Sequence, residues 1–148
     1  MQHPLSFLNR EVGTDEWESK VDTPFHDVVL ASQYLIERNF DRALSLSRDL
    51  YESGNPQRQF FGAFLLHKAS YVQQNFPESQ SWLTKAEALL PEGDAFSQAH
   101  YLHRIGIQRS HQGLLHEAVE VQTKAQQMFN ELGFNLEAAL AQSSIGNS

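Results

Sequence analysis

Seven histidines are the residues of this 148-residue chain with the chemistry to hold a metal or shuttle a proton. His100 and His103 stand three apart, which sets them on one side of a helix, and His111 lies two turns further on. Imidazole pairs bind zinc when a third ligand joins them, usually a carboxylate or a thiolate. The chain has no cysteine, and no acidic residue nearby has the right spacing. These histidines therefore read as polar lining of a groove. His67 reads as a packed histidine and His116 as a surface one. No serine sits in a G-x-S-x-G turn and no glycine-rich loop follows a strand. The acidic residues fall mostly on helix exteriors and caps. Catalysis, cofactor and metal are not expected, and binding is what remains.

The charge and composition narrow what is bound. The formal net charge is -7, and the 11 Lys and Arg are scattered, against the clustered cations that nucleic acid needs. No apolar run approaches the roughly 20 residues of a membrane span. The start MQHPLSFLNREVGTDEWES lacks the basic and then apolar run of a secretory signal. A cytoplasmic protein with neither a nucleic-acid nor a membrane partner is the expectation. An apolar fraction of 41% suffices for a core, and no stretch reads as a strand, so the fold class is all-α.

Residues 1–22 are a polar, acidic leader carrying Leu5, Phe7, Leu8, Val12 and Trp17. Glu11 to Lys20 can form a turn or two of helix. The leader reads as an arm whose Trp17 rests on the first helices, or as an arm that swaps onto a partner chain or fills a groove. Thr23-Pro24 marks a helix start, and Asn55-Pro56 a stop. Helical periodicity then divides the chain into units of about 23–56, 57–93 and 94–133, with a partial fourth at 134–148.

The strongest repeat signal is in residues 101–130. Gly106, Gly113, Ala118 and Ala125 punctuate a helix, a turn and a second helix. Ala31 and Ala43 take the matching small sites of the first unit, where Tyr34 holds an aromatic site. In the second unit Ser79 holds the small site of the second helix. Strict alignment puts His67 at the other small site, and a register shift of one or two residues is expected there. Phe40, Phe76 and Leu115 each stand three residues before the second-helix small site. The pattern resembles the tetratricopeptide repeat (TPR), a helix–turn–helix unit of about 34 residues that stacks into a superhelix. Arg109 and Asn130 depart from its aromatic and closing-proline positions.

The resemblance implies a right-handed α–α superhelix of about three hairpins plus a final helix. Gly146, forty residues after Gly106, would open a fourth repeat, so the chain is expected to be the N-terminal piece of a longer protein; a natural end with a capping helix is the alternative. The resemblance also implies a groove lined by the first helix of each unit. Its positions are Phe25, Val28, Ser32 and Leu35; then Phe61, Phe64, Lys68 and Tyr71; then His100, His103, Ile107 and Ser110, with His111 beside them. Such a surface suits a peptide or partner segment. The function expected is a non-catalytic protein–protein interaction or sensory module. It would regulate an output domain such as a diguanylate cyclase (GGDEF) or a DNA-binding regulator. The alternatives are a homodimerisation element and a small-ligand sensor.

Overall fold

The computed structural model of the chain describes residues 3–8, 12–13 and 17–146. Of the helical turn expected for Glu11 to Lys20, Glu11 and residues 14–16 lie outside them, while Trp17 and Glu18 are helical and the amide of Lys20 bonds to Trp17 O at 3.1 Å. All regular structure among the described residues is helical. Two short 3-10 turns, Pro4–Phe7 and Thr23–Phe25, precede α1 (His26–Ile36). Then come α2 (Phe40–Tyr51), α3 (Pro56–Val72), α4 (Phe76–Ala88), α5 (Ala95–His111), α6 (Leu115–Leu132) and α7 (Asn135–Gly146). The chain divides into two compact units, Met1–Leu90 and Pro91–Ser148.

The prolines start helices. Pro56 is the first residue of α3, where the missing amide costs nothing, and Asn55 accepts from the amides of Gln57 and Arg58. Asn55-Pro56 thus opens α3, and α2 has already ended at Tyr51, before the stop the sequence suggested. Pro77 likewise lies in the first turn of α4, and Asp94 caps α5 through the amide of Ser97 at 3.1 Å. Thr23-Pro24 begins a 3-10 turn, and the α-helix proper starts three residues later.

One turn geometry joins each hairpin. Arg38 (φ 62°), Gln74 (φ 64°) and Gly113 (φ 79°) all adopt the left-handed conformation. The next amide then reaches back five residues: Asn39 to Tyr34 O at 2.8 Å, Asn75 to Ser70 O at 2.9 Å, and Leu114 to Arg109 O at 2.9 Å. Gly133 (φ 84°) ends α6 the same way, with Phe134 bonded to Phe129 O at 2.9 Å. This closure satisfies carbonyls that a helix end leaves bare. Arg38, Gln74 and Gly113 follow Ala31, His67 and Gly106 by seven positions, and the second-helix small site follows five later.

His67 is therefore in register, and the expected shift does not occur. Its Nδ1–H donates to the carbonyl oxygen of Ser79 at 2.9 Å, with the Ser79 hydroxyl also 2.9 Å away. That hydroxyl donates to the His67 carbonyl at 3.1 Å. A histidine fits at this crossing because serine opposite is small and returns its hydrogen bonds.

In the first unit α2 packs on α1 and α3, α4 packs on α3, and α1 touches α3. From Phe60 to Ser70 only Lys68 escapes burial, which suits a helix apolar on nearly all sides. Gly62 allows the closest approach: a Cβ there would lie 2.5 Å from Tyr51 N and 2.6 Å from Ser47 O of α2. In the second unit α6 packs on α5 and α7. Its core joins Phe96, Phe129 and Phe134, with Phe96 and Phe134 ring centroids 4.2 Å apart. At Gly106 a Cβ would lie 2.2 Å from Gln122 Cγ. Ala118 and Ala125 are fully buried on α6, and Gly113 is exposed at the turn. Gly146 closes α7, and its surroundings lie outside the described residues.

Candidate functional site

The face shared by α1 and α3 is where the sequence placed the first two sets of groove residues. Val28, Ser32, Leu35, Phe61 and Phe64 do converge in the first unit, but every one is buried, Phe61 and Phe64 at 0% exposure. Of these five, Leu35 also borders an open hollow. The cover is the chain's own leader.

Pro4–Phe7 forms a 3-10 turn against α1. His3 starts it by accepting from the amide of Leu5 at 3.1 Å, and Ser6 donates to the His3 carbonyl at 2.7 Å. Leu5, Phe7 and Leu8 are at most 2% exposed. The His3 ring meets Phe61 edge-on at 5.8 Å, and Phe25 meets the same ring at 5.5 Å. Phe7 shares a cluster with Trp17, Val21 and Val29, against which Val12 and Phe25 pack. Trp17 in turn lies edge-on to His26 at 5.1 Å, and His26 Nε2–H donates to Val21 O at 2.7 Å.

Gln33 on α1 holds this segment at two main-chain points. Its Nε2 donates to Phe7 O at 2.8 Å, and its Oε1 accepts from the Val12 amide at 3.1 Å. A side-chain amide used this way reads backbone, whatever the side chains are. Beyond Leu8 the face continues into an open hollow of about 160 Å³ lined by Leu8, Leu35, Ile36, Arg38, Lys68 and Val72. Lys68 and Tyr71 are half-buried, and Tyr71 stacks edge-on to exposed Phe76 at 5.6 Å.

The leader is held by a small margin. Burying Leu5, Phe7 and Leu8 contributes about 2 kcal/mol each. The Gln33 bond to Phe7 O adds about 1 kcal/mol. Against this, ordering the backbone of His3 to Leu8 costs roughly 1–2 kcal/mol per residue. The two sides nearly cancel.

In the second unit the other groove residues do not form one surface. His100 is 3% exposed and packs between Phe96 (4.7 Å) and Phe129 (5.1 Å) in the core. His103 and Ile107 are half-buried, and His111 is exposed in the last turn of α5. Among the described residues no group of three or more His, Cys, Asp and Glu is placed to hold a metal ion. No helix among them is long and apolar enough to cross a membrane.

Sequence reasoning missed Gln33 and Gly62; it had the leader as an arm that rests on the first helices through Trp17 or fills a groove, without assigning that contact to Leu5, Phe7 and Leu8. The apolar density of Pro4-Leu5-Ser6-Phe7-Leu8 in an otherwise polar leader was the available signal. Compared with known proteins, the chain matches no family model, no curated protein and no solved structure.

Proposed function

We propose that this chain is a non-catalytic protein–protein interaction module, a TPR-like right-handed superhelix that regulates an output domain of a longer, bacterial-type signalling protein. Its ligand is a short segment of a partner protein, taken by the face of α1 and α3. One observation carries this reading: that face already holds a segment of polypeptide, with apolar side chains sunk into it and Gln33 gripping the main chain at Phe7 and Val12. Main-chain bonds supply affinity and pockets supply selectivity in such sites.

The test is a panel of defined short peptides displayed against the purified full chain. Binders rich in large apolar residues, weakened by Gln33→Ala, are expected. If no peptide binds more tightly than about 1 mM, to this chain or to one with its leader displaced, the reading fails.

A second reading is homodimerisation through the second unit. Leu132, Leu136 and Leu140 are 41%, 47% and 37% exposed at the end of α6 and along α7. A mass that rises with concentration, and stays monomeric in Leu136→Lys, is the result that would favour it.

A further inference from the structure

We infer that the leader is an intramolecular ligand, a plug that occupies the α1–α3 face in place of a partner segment of the same chemistry. That chemistry is a short 3-10 turn presenting two or three large apolar side chains, which offers a carbonyl to Gln33, with a main-chain amide five residues further on that Gln33 also accepts from. The inference rests on the module reading and goes further, naming the ligand and a regulation of the same site.

Three observations carry it. The segment His3–Leu8 belongs to no helical hairpin and is followed by acidic, polar sequence, yet its apolar side chains are as buried as the core of α3. Besides the bonds within its own 3-10 turn, its main chain is tied to α1 by the side chain of Gln33, at Phe7 O and at the Val12 amide. Removing it uncovers Phe61, which meets His3, and opens the hollow that Leu8 helps to line. A partner segment and the leader cannot share that face. A partner's apparent affinity is then reduced by the fraction of molecules in which the leader is docked.

The test uses the full chain and its Phe7→Asp variant, which places a charge where the leader must be dry. A fluorescent peptide of residues 1–13 is titrated into each and followed by anisotropy. Hydrogen exchange on the unaltered chain is measured alongside. The peptide is expected to bind the Phe7→Asp chain, and to bind the unaltered chain at least ~10-fold more weakly. The Val12 and Leu8 amides should exchange at least ~100-fold faster than those in the middle of α3, because the leader opens without the helices.

Leader amides exchanging at the α3 rate would overturn the inference, since the leader then opens only with the whole unit. The exchange result decides alone if Phe7→Asp does not fold. A peptide that binds neither chain, with both melting cooperatively, overturns it too. If panel peptides bind both chains equally, the plug is wrong while the interaction module stands. If nothing binds either chain, the module reading falls as well.

Discussion

His67 Nδ1 lies 2.9 Å from both the carbonyl oxygen and the hydroxyl oxygen of Ser79, across the crossing of α3 and α4. Where the first and third hairpins place alanine or glycine twelve residues before the second-helix small site, this one places a hydrogen-bonded histidine. The contact fixes the register of the hairpin, because a shift by one residue turns the imidazole away from its partner.

His67→Ala is expected to cost about 2–4 kcal/mol, from the cavity together with the lost bonds. Ser79→Ala should cost only about 1 kcal/mol, since the Ser79 carbonyl still accepts from the ring. Urea denaturation of the two variants checks this. Equal costs would show that the hydroxyl, not the ring, sets the crossing.

Gly62 and Gly106 differ in what opposes them. Gly62 faces the α2 backbone at Tyr51 N and Ser47 O, and Gly106 faces the side chain of Gln122. Gly62→Ala should destabilise by about 1–3 kcal/mol or more, with no single second-site remedy. Gly106→Ala should also destabilise, but Gln122→Ala in the same chain should restore stability. The restoration is aided by the better helix propensity of alanine, worth about 1 kcal/mol. Gln122 is 1% exposed, and its Oε1 has no hydrogen-bond partner among the described residues, so removing its amide also relieves a buried acceptor. A double-mutant cycle by thermal or chemical melting measures the coupling.

Gln74 holds the left-handed turn position that Gly113 holds in the third hairpin. A side chain there carries about 1–2 kcal/mol of strain. Gln74→Gly is expected to stabilise by about 0.5–1 kcal/mol, after the greater freedom of glycine in the unfolded chain is allowed for. Gly113→Ala should destabilise by about 1 kcal/mol. Opposite signs in the two midpoints confirm the shared turn, and the same sign refutes it.

Phe7 and Phe64 are both fully buried, yet they should answer truncation differently. Phe64→Ala is expected to cost about 3–5 kcal/mol, as a core phenylalanine does. Phe7→Ala should cost less than about 2 kcal/mol, because the loss stops at the free energy that docks the leader. Equal losses would make the leader part of the core.

The helices and their pairing were legible in the sequence because helical order is local. Apolar residues three and four apart mark a buried stripe, and the recurrence of Ala43, Ser79 and Ala118 marks the hairpin before any contact is known. The left-handed turns at Arg38 and Gln74 were hidden, since nothing in either residue type announces a positive φ. Which helix faces stay open was decided only by tertiary structure. Phe61 and Phe64 have the types and spacing of groove residues, but exposure is a property of what else arrives. Here it is a leader more than fifty residues away in sequence, held by apolar contacts and by Gln33. Burial by a distant segment is non-local, and its small net free energy leaves no periodic trace in the residues that supply it.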